Sequence, residues 1–248
     1  MSFVGDPMGS PAQLERRAET LFNDHRYQIA VSTDRMFALL MAIQWAAGIV
    51  AALLVSPRTW AGSIPSVHVH VWSALLGGGV LSGLPIFLAL RHPGLRATRY
   101  TIAVAQMLWS ALLIHLTGGR IETHFHVFGS LAFLAMYRDW RVLVPATVVV
   151  ALDHATRGIF WPQSVYGVLT ASPWRTVEHA AWVIFEDIFL IRSCRMSVGE
   201  MRDIANHRAR LQSAKELTEL EVRSRTNQLE AANQSLEHEV AERTQAED

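Results

Sequence analysis

The sequence predicts an all-α membrane protein, with six transmembrane helices followed by a cytoplasmic coiled-coil helix. Three observations lead there. Half of the 248 residues are apolar and only 18% are charged, and the mean hydropathy is positive. Most acids lie in the first 35 residues or the last 60, which leaves apolar runs in the middle longer than a soluble core helix needs. Toward the C-terminus, apolar residues recur every seven positions within a polar, helix-forming stretch.

The N-terminal segment 1–35 is polar and lacks a signal-peptide pattern, so the first apolar run is expected to stay as an anchor. Spans are predicted over 36–55, 71–90, 100–116, 123–137, 142–160 and 177–191. The second is interrupted by Gly77, Gly78, Gly79, Gly83 and Pro85. The fifth carries Pro145 in its first turn, where proline is tolerated. A span takes about 20 apolar residues, so the fourth and sixth have loosely set ends. The chain divides into a cytoplasmic segment 1–35, a transmembrane domain 36–192 and a cytoplasmic helix 193–248.

Basic residues set the orientation. With the N-terminus inside, the inner segments before the last span carry nine arginines: Arg16, Arg17, Arg26, Arg35, Arg91, Arg96, Arg99, Arg138 and Arg141. The outer loops carry four: Arg58, Arg120, Arg157 and Arg175. Six spans place both termini in the cytoplasm. Net charge is zero, so nucleic acid is not an expected partner. The single Cys194 excludes an intramolecular disulfide and a CxxC metal site.

In the tail, Val222, Leu229 and Leu236 fit d positions of a heptad, and Thr226, Asn233 and Val240 fit a positions. Asn233 is the polar a-position residue that favours a two-stranded register, which makes a homodimer the expected assembly. Leu211, Leu217 and Leu220 break the phase, so a stutter is expected near residue 220. The helix reads on to Asp248 without a cap, as if cut in mid-helix.

Seven of the 11 histidines map to one outer layer: His68 and His70, His115, His124 and His126, His154, and His179. One interfacial histidine is unremarkable, but five helices bringing imidazoles to one depth suggests a metal. The expected ligands are His70, His115, His124, His126, His154 and His179, with His68 left open. Residues i and i+2 of a regular helix point about 200° apart, so His124 and His126 share one ion only across an irregular turn. His126 is then the surer ligand. Glu122, Asp153, Glu178 and Glu186 are expected to hydrogen-bond ligating rings or to ligate themselves. Glu186 and Asp187 lie deeper in the sixth span, where Glu186 would link the site to the inner end and Asp187 would pair with Arg138 or Arg192. Imidazoles without thiolate suit zinc or copper, and added carboxylates suit iron. Two facing histidines would also bracket haem b, although no CxxCH motif for covalent haem is present.

The stretch GGRIETHFHVFGSLAFLAMYRDWRVL, 118–143, resembles the N-terminal membrane input region of bacterial sensor histidine kinases, diguanylate cyclases and chemoreceptor-like proteins. The tail EAANQSLEHEVAERTQAE, 230–247, is similar to the linker before a PAS or dimerisation domain in such kinases. The resemblance implies a homodimeric, multi-pass sensor of the inner membrane whose coiled-coil signalling helix leads to a downstream output domain. No phosphoacceptor segment or nucleotide-binding glycine box is present, so the chain itself is expected to lack kinase activity. A membrane metalloenzyme of oxidase type is the alternative; a transporter or a simple dimerising anchor ranks below it.

Overall fold

The computed structural model describes residues 10–247, and it is overwhelmingly helical. The element order is α1 (Pro11–Val55), β1 (Arg58–Ala61), β2 (Ile64–Val67), α2 (Val69–Trp72), α3 (Gly78–Arg91), α4 (Arg96–Leu116), α5 (Ile121–Leu134), α6 (Leu143–Phe160), α7 (Pro162–Tyr166) and α8 (Pro173–Glu247). Among the described residues, three helical segments are long and apolar enough to cross a membrane: Pro11–Val55, Val69–Arg91 and Trp140–Phe160. Their apolar side chains are widely exposed, Leu54 at 78% and Val80 at 74% among them, as expected of a surface whose solvent is lipid.

The residues divide into two compact units, one over Asp24–Glu200 and one joining residues up to Asn23 with those from Met201. The larger unit is a helical bundle. Its core is Phe37 and Met41 of α1, Ile102 and Met107 of α4, Leu131 and Leu134 of α5, and Leu143 of α6. The glycine-interrupted span is helical throughout, with a π turn at Ser73–Gly77 joining α2 to α3. The glycines there serve packing. A Cβ on Gly78 would stand 2.7 Å from the buried Trp109 ring, and one on Gly48 would stand 2.9 Å from it. Trp109 Nε1 then donates to Ser82 Oγ at 2.9 Å, and Ser82 donates to the Met41 carbonyl at 3.2 Å. The indole is thereby buried with its one donor satisfied.

The loop 56–68 forms a β-hairpin, which the sequence reading did not anticipate. At the opposite end, Asp34 accepts from Tyr137 OH and from the Gly94 amide, both at 2.6 Å. Asp139 there pairs with Arg99 at 3.1 Å. Asp187 does not pair with Arg138 or Arg192; it accepts from Thr147 Oγ1 at 2.5 Å, inside the bundle.

In the smaller unit, the start of α1 lies along α8. Arg17 pairs with Glu216 at 3.1 Å, and the Arg202 guanidinium caps the Phe22 ring at 5.0 Å. Beyond this region the heptad positions are open to solvent: Val222 is 59% exposed, Leu229 66%, Leu236 58% and Val240 62%.

Candidate functional site

The seven histidines expected in one layer separate into three groups. The first joins His124 of α5, His154 of α6 and His179 of α8. Their ring centres form a triangle of 5.5 Å, 5.3 Å and 6.0 Å. His124 and His154 are buried.

All three rings are oriented by one local device. His124 Nδ1 lies 2.9 Å from the Arg120 carbonyl, His154 Nδ1 3.1 Å from the Val150 carbonyl, and His179 Nδ1 2.8 Å from the Arg175 carbonyl. Each is a contact to the residue four positions earlier, which the helix supplies without tertiary help. A carbonyl only accepts, so each Nδ1 carries the proton and each Nε2 keeps a lone pair. His124 Nε2 is buried without a hydrogen-bond partner. Imidazoles bound to one ion at roughly 2 Å hold their ring centres roughly 5 Å apart, slightly tighter than the triangle seen here. Among the described residues no group of three or more His, Cys, Asp or Glu side chains stands close enough to hold a metal ion in this arrangement.

The triad lines a cavity of about 320 Å³ between α5, α6 and α8, walled largely by apolar residues such as Val127, Val150 and Val183. Thr147, the partner of Asp187, lines the same cavity. Asp153 stands 3.3 Å from His154 Nδ1 and grips Arg157 through two contacts of 2.7 Å and 2.5 Å. Tyr166 packs on His179 at 5.1 Å between ring centres.

The second group is His68, His70 and His115, with ring centres 4.2 Å apart for His68–His70 and 4.8 Å for His70–His115. His126 stands apart from both. Gln44 Nε2 lies 2.7 Å from its Nε2, and Ser110 Oγ lies 2.8 Å from its Nδ1. An amide NH2 only donates, so Nε2 accepts and Nδ1–H donates to Ser110. Ser110 passes its own proton to the Gln106 carbonyl at 3.1 Å. Both His126 nitrogens are thus engaged, and no lone pair remains for a metal. The expectation that His126 is the surer ligand is corrected. α5 begins at Ile121 and is regular through both positions, so it turns His124 into the triad and His126 away from it.

The expected acids behave differently from one another. Asp153 does lie beside a triad ring. Glu122 is 71% exposed and faces Arg120 at 3.9 Å, so it holds no ring. Glu178 is exposed. Glu186 is half-buried, and its Oε2 has no hydrogen-bond partner. Sequence reasoning missed Tyr166, Thr147, Gln44 and Ser110, none of which carries a spacing signal. Arg157 could have been found, four residues after Asp153 on one helix face.

No family profile matches the chain, and no solved structure matches it. It is 33% identical over 98 residues to Transducer protein Htr8 of Halobacterium salinarum. That alignment covers 39% of this chain and 15% of the transducer, so the chain spans a small part of that relative's length. The likeness, with the apolar helices, places the chain among membrane proteins similar to a signal transducer.

Proposed function

We propose that this chain is the membrane signal-input module of a larger sensor protein, and that it holds one transition-metal ion on His124, His154 and His179. The observation that carries the reading is the shared orientation of the three rings. Each Nδ1–H is committed to its own helix, so three Nε2 lone pairs are left available on rings from three helices, the ring centres lying 5.5 Å, 5.3 Å and 6.0 Å apart. The all-imidazole donor set favours copper or zinc over iron. A bare ion fits better than haem b, because the His124 ring, 5.5 Å and 5.3 Å from the other two, occupies the space a porphyrin between them would need. Bound there, the ion would supply a Lewis-acid or redox centre with an open position toward the apolar cavity.

The protein's own part is to couple that position to α8. His179 and Asp187 both belong to this helix, which continues without a break to Glu247. Drawing His179 toward His124 and His154 would shift or rotate α8, favouring one of two stalk states. The stalk would pair with a second copy through Val222, Leu229, Asn233, Leu236 and Val240 and pass the change to an output domain. The likeness to the halobacterial transducer supports a signalling role. In this reading six spans cross the bilayer, both termini are cytoplasmic, and the chain catalyses nothing itself.

Elemental analysis of the purified full chain tests the proposal. The triad should account for one equivalent of copper or zinc, and that equivalent should be lost in His124→Ala, His154→Ala and His179→Ala. Unchanged metal content in all three variants would overturn it. Turnover of a small substrate by the membrane domain alone would favour the metalloenzyme reading.

A further inference from the structure

We infer that His70 and His115 form a second cation site, distinct from the triad, for a copper or zinc ion completed by water. His68 sits at the N-cap of α2 in extended conformation, φ −64° and ψ 146°, and its Nδ1 accepts from the His70 amide at 3.1 Å. This irregular start brings two histidines of an i, i+2 pair onto one side, their ring centres 4.2 Å apart, which a regular helix forbids. His68 spends its Nδ1 lone pair on that cap, so it positions His70 rather than ligating. The His70 Nδ1 is buried without a partner. An orphaned buried nitrogen costs free energy that a ligand would recover.

His115 closes the site from the end of α4, its ring centre 4.8 Å from that of His70. Its Nδ1 lies 2.8 Å from Ser164 Oγ, which also accepts from Arg157 at 2.9 Å. A hydroxyl can accept from both Arg157 and His115; in the tautomer that donates Nδ1–H to Ser164, His115 presents Nε2 as a lone pair, in the manner of histidines that bind metals. Trp161 packs against His115 at 4.9 Å between ring centres and shields one side. Imidazole donors without thiolate suit copper or zinc. Arg157 also grips Asp153 beside His154, so one guanidinium braces both sites.

Copper or zinc titration of the purified full chain, with bound metal counted by elemental analysis, tests the inference. Two equivalents are expected. His70→Ala and His115→Ala should each retain the triad's equivalent and lose the other, the retained ion reporting an intact fold. Ser164→Ala should weaken the second equivalent roughly 10- to 100-fold. His124→Ala and His179→Ala should retain the second ion, so each site can fail by itself. Equal stoichiometry in His70→Ala, His115→Ala and the unsubstituted chain would overturn the inference, as would a single equivalent that only triad substitutions remove.

Discussion

At the scale of single residues, tautomers separate structural histidines from available ones. His124 and His126 are two positions apart in one turn, yet one keeps a free lone pair and the other spends both nitrogens on neighbours. His126→Ala should therefore retain bound metal. It should also lower stability by about 1–3 kcal/mol, because the Gln44 amide and Ser110 hydroxyl lose their partner inside the bundle. Thermal unfolding in detergent beside metal analysis checks both halves; loss of metal with unchanged stability would contradict them. Cys194 gives a second test. It is 2% exposed, and burial, reinforced by the negative Asp139, pushes its thiol up to about 11. The thiolate is the reactive form. Maleimide labelling of the folded chain should thus be slow at neutral pH and rise only as pH approaches that value, while the unfolded chain labels readily.

At the scale of elements, glycines decide how helices meet. The turn between α4 and α5 uses Gly118 at φ 72° and Gly119 at φ 76°, a left-handed pair that ends one helix so the next can begin. Gly119 is also packed face to face with the turn after α7, where a Cβ would collide with the backbone nitrogen of Gly167. Gly119→Ala should combine backbone strain with that collision and cost about 1–3 kcal/mol. Gly118 meets nothing within 4 Å, so Gly118→Ala should suffer the strain alone. Paired thermal melts of the two variants measure the difference, and equal melting temperatures would argue against the contact. The same turn sets the height at which His115 leaves α4 and His124 enters α5.

For the whole molecule, the open heptad stripe is the feature that one chain leaves unfinished. Burying Leu229 and Leu236 against a second copy would remove two large exposed apolar side chains from water. Replacing both by lysine should convert a dimer to a monomer in light scattering of the detergent-solubilised full chain, with metal content unchanged. A dimer that survives this double change would place the interface elsewhere.

Hydropathy, charge asymmetry and heptad spacing are one-dimensional properties, so the helical class, the apolar segments and the polar tail could be read directly from residue order. What residue order could not supply was azimuth. Whether His126 faces Gln44 or a metal depends on the rotation of α5 against α1 and α4, which is set by the packing of Phe37, Met107 and Leu131. Whether His68 and His70 can act together depends on an irregular helix start beneath a hairpin that carries no strong strand pattern. The expected layer of seven histidines thus becomes two groups of three and one histidine with both nitrogens hydrogen-bonded, because side-chain direction is decided only when the helices pack.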